Sequence, residues 1–156
     1  MDVDKKFLGR AVCLAIESVQ SGGGPFGAVI VSGGRIISES GNKVVLLKDP
    51  TAHAEILAIR EAARILENHD LSGCILYSSC EPCPMCLGAI YWSGIERIVY
   101  ASDRYDASKA GFSDNEIYRE ICLGPEERKI IFHKVKMEGA EEAFKRWERL
   151  ENKIPY

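Results

Sequence analysis

Apolar residues recur at helical spacing from the beginning of the chain. Val3, Phe7, Leu8, Ala11, Val12, Ala15 and Val19 predict an amphipathic helix over residues 3–19. Gly22-Gly23-Gly24-Pro25 ends it. Residues 26–31 and 35–38 then read as β-segments joined by Gly33-Gly34, a hairpin signal. Asp49-Pro50 reads as an N-cap with proline at the first helical position, opening an Ala-rich, buried helix over about 51–66. Residues 75–78 predict a short strand, residues 84–92 a second buried helix, and residues 95–100 another apolar strand. The polar stretch 101–113 reads as a loop and residues 114–122 as a short helix. Residues 129–136 alternate into a strand. Ala140, Ala143, Phe144, Trp147 and Leu150 form a helical stripe, and residues 151–156 carry no readable pattern. Alternating strands and helices predict an α/β sandwich with helices covering a mixed sheet.

Length and composition narrow the functional classes. At 156 residues the chain matches one domain of about 150 residues. That length buries on the order of two-thirds of the unfolded surface. Hydrophobic residues at 46% and charged ones at 28% fit a globular domain rather than a disordered one. Twenty basic residues against 23 acidic ones leave a net charge of −3, which gives no global attraction to nucleic acid. No apolar run approaches the roughly 20 residues of a membrane span. The opening Met-Asp-Val-Asp-Lys-Lys lacks a signal-peptide pattern, so the expected location is the cytoplasm.

Six cysteines need an account. A disulfide framework suits neither a reducing compartment nor a chain long enough to fold without staples. Cys80, Cys83 and Cys86 cluster in one short run, which points to metal or redox chemistry. Cys13, Cys74 and Cys122 lie on apolar elements and read as small buried hydrophobes.

Two segments carry the chemistry: Thr51-Ala52-His53-Ala54-Glu55 and Cys80-Glu81-Pro82-Cys83-Pro84-Met85-Cys86. Both fall where helices are predicted to start. Cys83 and Cys86 are three apart and face one side of a first helical turn. Two thiolates and one imidazole make a three-ligand zinc site with the fourth position open for water. Two helix N-termini aimed at the site favour thiolates and a bound hydroxide. Because two thiolates already neutralise Zn²⁺, a nearby carboxylate must manage the proton, and Glu55 is placed for that task. An iron–sulfur reading fails at Ile90-Tyr91, where the bacterial ferredoxin pattern needs Cys-Pro. A thioredoxin-like pair leaves His53 and Glu55 unexplained. Cys80 reads as structural, although as a fourth ligand it would make a closed zinc module for binding a partner protein. His69 and His133 have no ligand-like neighbours.

H-x-E followed by P-C-x-x-C is the zinc deaminase signature. It stands here as His53-Ala54-Glu55 and Pro82-Cys83-Pro84-Met85-Cys86, and the chain resembles the cytidine deaminase superfamily. Within it, the chain most closely resembles the small bacterial guanine deaminases. The resemblance runs through Gly24-Pro25-Phe26-Gly27-Ala28, Asn42, residues 49–55, residues 79–92, Ala110-Gly111-Phe112-Ser113-Asp114 and Tyr156. Much of this is shared with tRNA adenosine deaminases; Gly111-Phe112-x-Asp114 and Tyr156 favour guanine.

The resemblance implies a three-layer α/β/α fold with a mixed five-stranded sheet, and a single zinc-dependent deaminase domain over residues 1–156. It implies Zn²⁺ held by His53, Cys83 and Cys86, with Glu55 and Asp114 catalytic. Phe26, Asn42, Ala54, Trp92 and Tyr156 would contact the substrate. On spacing alone, Asn42 also suits a turn, Trp92 a core position and Asp114 an N-cap. The implied reaction is hydrolysis of guanine to xanthine and ammonia, in purine catabolism or salvage. The alternatives are a tRNA adenosine deaminase and a nucleoside deaminase acting on guanosine or cytidine. The implied assembly is a homodimer exchanging residues 137–156, so that Tyr156 helps close the partner's site. Nucleic acid and membrane are not expected partners.

Overall fold

A computed structural model describes residues 3–156, which divide into two compact units at residues 115 and 116. The first unit begins with α1 (Val3–Gln20) and a hairpin of β1 (Gly27–Ser32) and β2 (Arg35–Gly41). A one-turn helix α2 (Val44–Leu47) and the longer α3 (Ala54–Leu66) follow. Then come β3 (Ile75–Cys80), α4 (Pro84–Trp92), β4 (Arg97–Ser102) and α5 (Arg104–Lys109). Gly33 and Gly34, with φ of +55° and +74°, supply the left-handed turn that a two-residue hairpin requires.

The strands lie in the order β2-β1-β3-β4. β1 is antiparallel to β2 and β3, while β3 and β4 are parallel and joined through α4. Alternation along β1 divides the core between the two faces of the sheet. Ala28 and Ile30 pack with Leu76, with Ala54, Ala58 and Ala62 of α3, and with Ile90 of α4. Val29 and Val31 pack with Tyr77 and with Phe7, Ala11 and Leu14 of α1. Helices therefore cover both faces, and the expected three layers are present. Among the described residues the sheet has four strands rather than five. No described helix is long and apolar enough to cross a membrane.

The second unit carries α6 (Asn115–Ile121), a 3-10 turn (Pro125–Glu127) and α7 (Glu142–Arg149). The expected strand at 129–136 is irregular here, which accounts for the missing fifth strand. Its alternation is real, but a strand needs a neighbour to take its backbone groups. At its first residue the bonds stay within the unit: Lys129 N donates to Glu120 Oε2 at 2.7 Å, and Lys129 Nζ pairs with Glu116. Ile131 is left 90% exposed.

Several expectations at element ends are corrected. Asp49 does not cap the helix: its Oδ1 accepts from Thr51 N and Oγ1 at 2.8 and 2.7 Å in a local turn, and the helix begins three residues later. The stretch 101–113 contains α5, and α2 was not expected. Helix α4 buries Cys86 and Ile90, but Tyr91 and Trp92 are 79% and 70% exposed, so Trp92 is no core residue. Cys74 is buried, whereas Cys13 and Cys122 are exposed. Cys13 sits beside, not on, the face of α1 that buries Ala11, Leu14 and Ala15.

Candidate metal centre

Two helix starts converge on one point. His53 is the N-cap of α3, and Cys83 is the N-cap of α4. Both have extended backbones, and neither side chain caps its own helix, so imidazole and thiol remain available to a ligand. Pro84 stands in the first turn of α4, where its missing N–H costs nothing, and Cys86 follows within that turn.

The sulfurs of Cys83 and Cys86 each lie 3.5 Å from His53 Nδ1. A tetrahedral zinc with ordinary Zn–S and Zn–N bonds sets a sulfur and a nitrogen ligand about 3.6 Å apart. The donor set therefore fits zinc in both chemistry and spacing. All three ligand atoms lie within 4.8 Å of one another. The hydrogen bond from Cys86 pulls the Cys83 thiol down to about 4, with His53 assisting, and pushes Cys86 up. Zinc takes both cysteines as thiolates, so its binding releases the Cys86 proton. The hydrogen bond with Cys83 raises the His53 imidazole above its ordinary value.

Glu55, in the first turn of α3, is 5% exposed. One carboxylate oxygen accepts from Ser78 Oγ at 3.2 Å; the other accepts from Cys86 Sγ at 3.5 Å. Burial pushes its carboxyl above the usual range. Cys80 takes no part in the cluster. Its thiol donates to the Asp103 carbonyl at 3.4 Å, and burial pushes it up to about 11. That matches the structural reading over the four-ligand one.

Asn42 is buried, and its Oδ1 accepts from Val44 N at 3.2 Å and Gly24 N at 3.4 Å. These two bonds fix the orientation of the carboxamide, with Oδ1 as the acceptor. The Phe26 ring meets Phe112 edge-on at 5.1 Å. Asp114 is half-buried; burial raises its carboxyl, and the Cys83 charge adds to the rise. Ala54 is fully buried at the start of α3. Trp92 stands at the far end of α4, about 13.5 Å along the axis from Cys83. Tyr156 belongs to the second unit, where its ring meets Trp147 at 6.5 Å.

Sequence reasoning missed Ser78 and Ser79. Ser78 bonds Glu55, and Ser79 Oγ accepts from Gly27 N at 3.0 Å. Their signal was two hydroxyls closing an otherwise apolar buried strand.

A three-ligand zinc cluster at two helix starts, with a buried carboxylate against it, defines a zinc deaminase site on an α/β sandwich. The chain belongs to the cytidine and deoxycytidylate deaminase family, whose zinc-binding region matches residues 1–102. It is 52% identical over 151 residues to guanine deaminase of Bacillus subtilis, covering 96% of this chain and 97% of that protein. The crystal structure of the Bacillus subtilis guanine deaminase superposes with a TM-score of 0.94 over 97% of this chain and 98% of that one. A tRNA-specific adenosine deaminase of Buchnera aphidicola is 41% identical over 130 residues, 80% of each chain. The guanine deaminase of Nitrosomonas europaea is 36% identical with a TM-score of 0.67, over 70% of this chain and 64% of that one.

Proposed function

We propose that this protein hydrolyses guanine to xanthine and ammonia. The observation that carries the reading is the buried Glu55 carboxylate set against the His53, Cys83 and Cys86 cluster. Likeness to a guanine deaminase over nearly the whole chain supports guanine over the more distant tRNA substrates. A net charge of −3, with no basic run beyond Lys5-Lys6, also suits a small base better than an RNA loop.

When bound, zinc supplies the lowered water pKa that makes a nucleophile at neutral pH. Glu55 takes a proton from the attacking water and delivers it to the ring nitrogen beside the amine-bearing carbon. Asp114 passes a proton to the departing amine, which leaves as ammonia. The Asn42 NH₂ donates to an acceptor on the purine edge, Phe26 packs on the ring, and Ala54 lines the floor. The reaction balances as guanine and water to xanthine and ammonia, a step of purine catabolism or salvage in the cytoplasm.

The functional unit in this reading is a homodimer that exchanges residues 137–156. Support comes from exposed apolar side chains in the second unit, Phe144 and Ile154. The exchanged Tyr156 would close the partner's site and Trp92 would help cover the base.

Glu55→Gln tests the core of the reading. It should keep zinc and lose turnover by at least ~10²–10⁴-fold; near-parental turnover would overturn the proton-transfer role. Removing residues 151–156 should impair turnover with zinc retained, and full activity in the truncated chain would remove the closing tail.

A further inference from the structure

Glu81 sits inside the cysteine run, yet it is neither a metal ligand nor a member of the proton path. Its carboxylate is aimed at a different element. Glu81 Oε2 accepts from the backbone N–H of Arg104 at 3.1 Å. Its own N–H donates to the Ser102 carbonyl at 2.8 Å, and the neighbouring Cys80 thiol donates to the Asp103 carbonyl at 3.4 Å. Two consecutive residues before the Pro82-Cys83 turn thus grip three consecutive residues where β4 passes into α5.

Helix α5 needs such a grip. It has six residues and none is buried, so core packing does not hold it. So short a helix is marginal by itself. Its first turn is satisfied from outside the ladder. Asp103 Oδ1 accepts from Tyr105 N and Asp106 N, both at 2.9 Å, and Glu81 takes the remaining first-turn N–H of Arg104. A charged acceptor at this end is favoured by the helix dipole. What α5 carries is functional. Phe112 N donates to the Ala107 carbonyl at 3.0 Å, so Phe112 is pinned to the end of α5. Its ring then meets Phe26 at 5.1 Å, with Asp114 two residues further on.

We propose that Glu81 is a positioning residue: its bond to Arg104 N fixes the start of α5 against the metal loop and thereby sets Phe112 and Asp114 beside the substrate. This rests on the reading that Phe26 and Asp114 face the purine. The metal loop and the ring wall are then one mechanical unit.

The test uses the zinc-loaded full chain with Glu81→Ala and Glu81→Gln, the second of which keeps an acceptor at the same reach. Glu81→Ala should retain one zinc per chain. Amide exchange should speed up about tenfold or more at residues 104–112, while amides in β1 and β3 keep their protection. With guanine, kcat/KM should fall about tenfold, with KM rising more than kcat falls, and Glu81→Gln should recover most of it. The proposal is overturned by parental kcat/KM in Glu81→Ala, by loss of zinc, or by faster exchange spread through the sheet. Exchange and zinc content are read whether or not guanine turns over. A protein that shows the local exchange change but no guanine turnover would therefore refute the substrate reading and leave the grip on α5 standing.

Discussion

Gly27→Ala tests how closely α1 packs on β1. Gly27 opens β1, pairs with Gly41 and donates to Ser79 Oγ beside the metal loop. A Cβ placed on it would lie 2.2 Å from the Ala11 carbonyl oxygen, 2.6 Å from Ala15 N and 2.7 Å from Leu14 Cβ. Two of these three are backbone atoms of α1 and cannot rotate away. Restoring ordinary contact requires α1 to retreat by about 1 Å, a gap that forfeits a quarter to a half of each dispersion contact it reaches. The contacts at stake are those of Phe7, Ala11 and Leu14 with Val29, Val31 and Tyr77. Overpacking ordinarily costs about 1–3 kcal/mol, and backbone neighbours place this case at or above the upper end. For a chain of this size, ~3 kcal/mol lowers Tm by about 6–12 °C. Urea unfolding at fixed protein and zinc concentration measures it. Gly9→Ala is the matched control: it lies on the same helix with nothing within 4 Å of a new Cβ, and should be neutral to stabilising by up to ~1 kcal/mol. A Gly27→Ala protein within about 0.5 kcal/mol of the parent, the ordinary scatter of surface changes, would refute the close approach of α1 to β1.

Cys80→Ser should retain one zinc per chain, because serine can make the same bond to the Asp103 carbonyl; zinc loss measured by metal analysis would restore the closed four-ligand site. Glu39→Gln tests the paired bonds from Arg10, at 2.6 and 3.0 Å, which hold the Glu39 carboxyl below its ordinary 4.5. A lowered folded pKa means that this stability is present above about pH 4.5 and is lost as pH falls through the folded value. The variant should therefore be less stable at pH 7, by under ~1 kcal/mol because the pair is part-exposed, and the deficit should shrink on acidification. A deficit that stays constant with pH would remove the ion pair from the account.

Legibility in the sequence followed the range of the interactions. The metal cluster was readable because its ligands lie in two short motifs, each at a helix start; α4 begins and ends where its proline and apolar run predict. Helix α5 was missed because it buries nothing and so shows no hydrophobic period. Its signal was the Asp103-x-x-Asp106 capping box. The stripe read for α1 takes in Val3, Val12 and Val19, which are as apolar as the buried Phe7, Leu14 and Ala15 but stand exposed. The strand at 129–136 failed for a different reason. Alternation states which residues would face a core, but it does not supply a neighbouring strand. Only half of the fixed Asn42 amide is local: the bond from Val44 N, two residues on, fits the turn reading, whereas the second donor, Gly24 N, lies 18 residues away.

One product assay tests the substrate and the proton path together. Zinc-loaded protein should be incubated separately with guanine, guanosine, adenine, cytosine, cytidine and an RNA hairpin, with ammonia and the deaminated product quantified. Guanine should yield ammonia and xanthine in equal amounts, the other compounds little, and the guanine rate should collapse in Glu55→Gln. Ammonia released from the RNA or from cytidine in preference to guanine would contradict guanine as the substrate.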